Sequence, residues 1–308
     1  MIVVLTGSGA LSGAGRQQVP AAANRKEPRT WRKLTAQEQS VIVAKGTEPP
    51  FSGTYDDHFE KGIYACRRCG AGLFESDSKF ASGCGWPSFD DQIPGAVRMQ
   101  LDADRVRTEI LCEACGGHLG HVFVGEHMTP KDTRYCVNSI SMDFLPAQAL
   151  ERAVFAAGCF WGVEHYLKRA PGVISTTVGY TGGDVNSPTY QQVCMDKTGH
   201  AEAVEVVFDP NKTTYEELAK LFFEIHDFTQ LNRQGPDVGT QYRSEVFYTS
   251  DPQRSVAEGL VAQLRQKGYE VKTQISPLVR FWPAELYHQD YYDKTGKTPY
   301  CHVRRPIF

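Results

Sequence analysis

Nine cysteines fall into groups that could do different chemistry. Four form two Cys-x-x-Cys pairs, Cys66 with Cys69 and Cys112 with Cys115. Thiolates are soft ligands, and Zn2+ accepts four of them tetrahedrally without redox activity. The glycines in CRRCG and CEACGG allow the tight turns that point both sulfurs of a pair inward. A four-thiolate site has no open coordination position, so one structural Zn2+ per chain is expected, tying a strand pair near residue 66 to one near residue 112. Two redox-active dithiols and an iron site are the competing readings. A redox Cys-x-x-Cys, however, normally opens a helix after a strand and has no partner pair.

The remaining cysteines, Cys84, Cys136, Cys159, Cys194 and Cys301, stand alone. Cys136 lies in RYCVNS, where Arg134 brings a permanent cation that lowers a thiol pKa. Asn138 and Ser139 can donate hydrogen bonds. His118 and His121, three apart in GHLGH before HVFV, could bring two imidazoles to one pocket. The same residues fit a strand end with satisfied surface histidines equally well. Cys159, in AAGCFWG, falls at a strand-to-helix junction whose free N–H groups favour a thiolate. Phe160 and Trp161 supply an apolar wall suited to a methyl group. Glu202, in GHAEAV, would stay protonated if buried near that thiol and could donate a proton. A buried helix-start cysteine beside core aromatics is the plain alternative.

These residues need elements to position them. Trp31 to Lys45 has a short amphipathic helical pattern with Thr35 as its cap. Beyond Pro49 and Pro50, GIYACRRCG, VRTEILCEACGG and HVFVG read as strands and knuckles of a mainly-β domain that closes near Phe144. From Arg152 the texture is α/β. AVFAAG (153–158) reads as a strand, Phe160 to Lys168 as a helix, AVEVVFDP (203–210) as a strand and TTYEELAKLFFEIH (213–226) as an amphipathic helix. SEVFYTS (244–250) is a strand, followed by a helix to about Gln266 and a strand near Tyr269 to Ile275. The alternation predicts one open sheet with helices packed on it. No internal repeat is apparent, so two unlike domains are expected: 29–146 and 153–308, joined by 147–152. Residues 1–28 read as a disordered tail or a targeting remnant.

The 308 residues suffice for two ordinary domains, and 41% hydrophobic with 22% charged residues is a globular composition. A net charge of −3 gives no support for nucleic-acid binding. No apolar run approaches the roughly 20 residues of a membrane span. Cysteine usage points to a reducing compartment, hence a cytoplasmic location, with a periplasmic or other exported one as the alternative. A monomer is expected.

SGCGWPSF (82–89), GGHLGHVF (116–123) and RYCVNSISMDF (134–144), together with the four-cysteine clamp, resemble methionine sulfoxide reductase B over about residues 31–146. The resemblance implies a mainly-β zinc-containing domain with Cys136 as nucleophile and Cys84 as resolving thiol. It implies that Trp86 holds the substrate methyl while His118, His121, Arg134 and Asn138 assist around the sulfoxide. GCFWGVE (158–164), GYTGG (179–183), PTYQQVC (188–194), TGHAEAV (198–204), DVGTQYRS (237–244) and YHQDYY (287–292) resemble methionine sulfoxide reductase A over about residues 153–301. That likeness implies an α/β (α+β, ferredoxin-like core) domain with Cys159 as nucleophile and Glu202 as acid. Tyr190, Asp237 and Tyr242 would form the polar half of the pocket, and Phe160 and Trp161 the apolar half. Cys301, in KTPYCHV, matches the family's C-terminal resolving thiol, carried on a tail that swings over the site. Cys194 is expected to be a buried, inert bystander.

Together the resemblances imply reduction of methionine sulfoxide, the R epimer at the first centre and the S epimer at the second, in proteins or as the free amino acid. Sulfenic acid and intramolecular disulfide intermediates follow, with thioredoxin or a similar dithiol as reductant and no organic cofactor. A general thiol–disulfide oxidoreductase, or a zinc-dependent binding or scaffold protein with inert thiols, would fit the cysteines taken alone.

Overall fold

The structure is a computed structural model, and it describes residues 31–308. The tail expected over 1–28 lies outside the described residues.

Thr35 opens the first helix, Ala36–Ile42, through a reciprocal cap. Its hydroxyl accepts from the Glu38 N–H at 3.2 Å, and the Glu38 carboxylate accepts from the Thr35 N–H at 2.7 Å. Such a cap is worth about 1 kcal/mol. The helix is shorter than the amphipathic pattern because the Val43 and Ala44 N–H groups both bond to the Gln39 carbonyl and close it off.

The first half is built from antiparallel strands. Gly72–Glu75, Gly62–Cys66 and Met142–Pro146 form a three-stranded sheet in that order. A six-stranded sheet runs Lys79–Phe80, Ser88–Phe89, Thr133–Val137, His118–Val124, Thr108–Cys112, Val97–Leu101. Tyr64, Phe74 and Phe89 are fully buried between them, with the Phe74 and Phe89 rings stacked at 4.4 Å. The mainly-β expectation holds. The Met142–Pro146 strand returns to pair along the whole of Gly62–Cys66, so the chain leaves this half beside the strand that began it.

The second half holds one six-stranded sheet ordered Gln274–Pro277, Ser244–Tyr248, Glu151–Ala157, Ala201–Phe208, Val173–Thr181, Phe281–Pro283. Its neighbours are antiparallel except for the first pair. The four central strands have the order 4-1-3-2 in chain terms, with helices Phe160–Leu167 and Tyr215–Ile225 as crossovers. This is the ferredoxin-like arrangement that the resemblance implies. Thr214 caps the second crossover helix in a box with Glu217, and Phe222 and Phe223 are fully buried in the core together with Phe155 and Phe208. Each such ring contributes about 1.5–3 kcal/mol by leaving water.

Differences from the sequence reading are local. The strand expected at 153–158 is Glu151–Ala157, and that expected at 203–210 is Ala201–Phe208. The final parallel strand falls at Gln274–Pro277. Strands Val173–Thr181 and Phe281–Pro283 were not anticipated at all.

The halves meet over an apolar cluster of Ile63, Ile93, Ile174 and Val207. Nearby, Gly95 must lack a side chain: at φ +82° its Cβ would lie 2.6 Å from Asp290 Oδ2. Among the described residues no helix is long and apolar enough to cross a membrane.

Candidate active site

The Cys-x-x-Cys pairs sit in two matching knuckles. In each, the first cysteine ends a strand, and its carbonyl accepts from a glycine four residues on, Gly70 at 2.7 Å and Gly116 at 2.8 Å. Both glycines have positive φ, +79° and +69°. The four sulfurs lie within 4.8 Å of one another, with Cys66–Cys115 and Cys69–Cys112 at 3.6 Å. Thiols this close cannot all ionise without a cation. Proton sharing with Cys115, Cys66 and Cys69 pushes Cys112 well above the usual thiol range, and burial adds to this. Four clustered soft donors fit a tetrahedral metal.

In the first half, Cys136 stands on the Thr133–Val137 strand directly opposite His121 on one side and Ser88 on the other. Its sulfur is 3.9 Å from that of Cys84, which arrives on the loop before Ser88. The two thiols share a proton. The Cys136 thiol, then the Ser82 and Ser88 hydroxyls, outweigh burial and draw Cys84 down to about 4. The same bond and burial push Cys136 up, opposed by Arg134. Arg134 donates to Cys84 at 3.4 Å from Nη1 and is held by Glu126 through Nε at 2.7 Å and Nη2 at 2.9 Å. Its guanidinium also lies 4.5 Å from the Phe123 ring centroid.

Both histidines are tethered by carboxylates. His118 Nδ1 is 2.7 Å from Glu109, and His121 Nε2 is 2.7 Å from Asp102. Burial lowers the His118 pKa despite Glu109, and its buried Nε2 has no protein partner. Trp86 is half-buried, with its indole N–H donating to the Glu48 carbonyl at 3.0 Å. Asn138 lies next in chain to this strand, but its amide is committed to backbone: Nδ2 donates to Leu119 O and Oδ1 accepts from Glu48 N, each at 3.0 Å. Sequence reasoning missed Glu48, Asp102, Glu109 and Glu126. Each meets its partner across at least eight residues, so no local pattern in the sequence signals its role.

In the second half, Cys159 caps the Phe160–Leu167 helix and is buried. Glu202, on the adjoining Ala201–Phe208 strand, accepts from the Phe160 N–H at 3.0 Å. Its pKa is pushed up to about 8 by burial, against the Phe160 bond, with the Asp237 and Cys301 charges adding to the rise. At neutral pH it therefore carries a proton. Cys301 lies near enough to Cys159 for each thiol to shift the ionisation of the other. That contact first, then burial and Glu202, raises Cys159, while Cys301 is drawn down to about 6 chiefly by Cys159.

Burial raises the phenols of Tyr190 and Tyr242, and ionisation of Glu202 adds to the rise. Asp237 accepts from the Tyr300 hydroxyl at 3.1 Å. Phe160 is buried against Tyr180 and His288, and Trp161 stacks on Tyr291 at 3.8 Å. Cys159, Phe160 and Trp161 thus stand at the helix start with Glu202 bonded to it, and Cys301, Tyr190, Tyr242 and Asp237 lie near enough to act on the charges there. Two expectations change. Cys194 is exposed rather than buried, because the helix Tyr190–Cys194 that carries it presents only Val193 to the core. The tail bearing Cys301 is already seated: Arg305 N–H donates to Glu224 O at 2.7 Å and Arg304 Nε to the Glu224 carboxylate at 3.0 Å.

Two unlike domains, each with a half-buried thiol pair beside a cation or a protonated acid, define a thiol-based redox enzyme with two centres. Residues 151–307 match the family described as peptide methionine sulfoxide reductase, and residues 34–146 match the SelR domain. The chain belongs to the peptide methionine sulfoxide reductase family, with a SelR domain ahead of the reductase domain. It is 50% identical over 153 residues to a peptide methionine sulfoxide reductase MsrA of Sulfolobus acidocaldarius, covering 49% of this chain and 87% of that one. It is also 50% identical over 151 residues to one from Geobacter sulfurreducens, covering 48% and 93%. A crystal structure of Mxr1 from Saccharomyces cerevisiae in reduced form aligns at 36% identity and a TM-score of 0.49, over 52% of this chain and 94% of that one.

The raised Glu202 pKa has a stability consequence. An unfolded glutamate titrates near about 4.3. The folded protein therefore holds this proton more tightly, and the resulting stability is complete below about 4.3 and is lost as pH rises through about 8. Glu202→Gln removes that term. Urea midpoints across this range should fall more steeply for the wild type than for the variant; parallel curves would contradict a buried, protonated Glu202.

Proposed function

We propose that the chain reduces both epimers of methionine sulfoxide, the R epimer at Cys136 and the S epimer at Cys159, each with its own resolving thiol. The observation that carries this reading is the thiol pair at each centre, seen most directly in the 3.9 Å approach of Cys84 to Cys136. A thiolate attacks the sulfoxide sulfur, a neighbouring acid protonates the oxygen, methionine departs and the cysteine keeps the hydroxyl as a sulfenic acid. At the second centre Glu202 is the acid, already protonated near neutral pH. Phe160 and Trp161 take the substrate methyl, and Tyr190, Tyr242 and Asp237 hold the polar side. At the first centre Trp86 takes the methyl, and His118 supplies an unpartnered buried nitrogen toward the oxygen. Arg134 stabilises whichever of the paired sulfurs is charged. Asn138 serves by fixing the backbone around Leu119 and Glu48.

Cys84 and Cys301 then close disulfides with Cys136 and Cys159. An external dithiol of the thioredoxin type reopens both by exchange. At the second centre Cys301 is partly exposed while Cys159 is buried, so the donor attacks Cys301 and releases Cys159 as the leaving thiolate. Substrates are oxidised methionines in proteins and the free amino acid. The four-thiolate cluster holds one structural Zn2+ and takes no part in the redox steps; two matching knuckles with sulfurs within 4.8 Å support this. We assign the first activity to residues 29–146 and the second to 153–308, joined through 147–152, in a monomer in a reducing, cytoplasm-like compartment.

Turnover of separated epimers with a dithiol reductant tests the assignment. Cys136→Ser should abolish R-epimer reduction, by at least about a hundredfold, and leave S turnover intact; Cys159→Ser should do the converse. Residual R activity in the first variant, or S activity in the second, would overturn it. Metal analysis should return one zinc per chain, and strong chelation should abolish R activity and leave the second centre working. Full R activity in metal-free protein would remove the structural role.

A further inference from the structure

The residue after the resolving thiol has a contact that the steps above do not use. His302 is buried, and its ring enters between the end of the Glu151–Ala157 strand and the Phe160–Leu167 helix. Nε2 is 2.7 Å from the Ala157 carbonyl oxygen. A carbonyl can only accept, so the proton of the neutral ring sits on Nε2 and Nδ1 is left with a lone pair. Nδ1 lies 3.0 Å from Cys301 Sγ. The fold reserves space for the ring: a Cβ on Gly162 would come within 2.1 Å of Nδ1. Gln234 Nε2 donates to the Cys301 carbonyl at 3.3 Å and the Tyr166 hydroxyl to the His302 carbonyl at 3.4 Å, so thiol and base are held to the junction that carries Cys159.

We propose that His302 is the general base that converts Cys301 into the attacking thiolate of the disulfide-forming step, an inference that rests on Cys301 being the resolving thiol. Nδ1 takes the Cys301 proton. The thiolate sulfur bonds to the Cys159 sulfenyl sulfur, the S–O bond breaks, and the hydroxyl departs as water with the proton His302 had taken. Cys301 is oxidised, the sulfenic sulfur is reduced, and no further reactant is consumed. His302 touches the reacting sulfur, so it is a catalytic residue for this half-reaction only. The Cys301 thiol is drawn down by Cys159 first and, against burial, by His302. The titratable groups facing the pair are Cys159, Glu202, Asp237, His226, Tyr292 and Tyr300. Asp237 opposes the Cys301 thiolate, whereas the His302 ring favours it.

The test is single-turnover kinetics of the full chain with S-epimer sulfoxide and no reductant. Methionine release and disulfide closure are followed separately in wild type, His302→Gln and Cys301→Ser. The Gln variant should release its first methionine at the wild-type rate, which also shows that it is folded. It should close the disulfide at least tenfold more slowly near pH 7 and recover as rising pH ionises the thiol. Closure at the wild-type rate overturns the proposal, and so does slower closure with an unchanged pH profile, which would make His302 a positioning residue. Cys301→Ser should close no disulfide with Cys159; if it does, the resolving assignment itself fails, whatever the Gln variant shows. Should the Gln variant not fold, the wild type decides: its closing rate must fall on the acid side with the midpoint of the His302 ring measured by NMR, and a flat profile overturns the proposal.

Discussion

A reactive thiol kept reduced beside a second thiol is the constraint on which both halves of this protein are built. At the first centre the approach is 3.9 Å, and that contact draws the Cys84 thiol down while it pushes Cys136 up. At the second, the neighbouring thiols shift in opposite directions, Cys301 down and Cys159 up. Such a pair needs a rigid frame, because a resolving thiol held away from its partner would leave a sulfenic acid exposed to further oxidation. The frame differs between the halves. One uses adjacent antiparallel strands, the other a strand-to-helix junction with a tail pinned onto Glu224.

The two centres solve the proton problem differently. Arg134 supplies a fixed cation, itself oriented by a bidentate Glu126, so charge is stabilised directly on sulfur. At the second centre burial keeps Glu202 protonated and ready to give its proton to oxygen. Mirror-related substrates make this division intelligible, since one chiral pocket cannot present methyl, oxygen and main chain favourably for both epimers. The four-cysteine cluster belongs to the first half alone. It joins the ends of strands Gly62–Cys66 and Thr108–Cys112, which belong to different sheets.

Much of this was legible in the sequence. Cys-x-x-Cys spacing with trailing glycines fixes the clamp because the knuckle is a local structure. Thr35 and Thr214 announce their helices because a cap acts over three residues. The nucleophile neighbourhoods were legible through family resemblance more than through residue chemistry. Hidden features depend on distance along the chain. Val173–Thr181 mixes threonines and glycine with apolar residues, and it is a strand because Ala201–Phe208 pairs along its length. Asp102 and Glu109 acquire meaning only when the sheet brings them to His121 and His118. Cys194 reads as core beside Tyr190, yet a five-residue helix turns it outward.

The most direct measurement is peptide mapping of the disulfides formed when fully reduced, zinc-loaded protein meets both sulfoxide epimers without reductant. Two linkages should accumulate, Cys84–Cys136 and Cys159–Cys301, each to one per chain, with Cys66, Cys69, Cys112, Cys115 and Cys194 still reduced. Disulfides that involve the clamp cysteines, or that join the two halves, would contradict two self-contained thiol pairs.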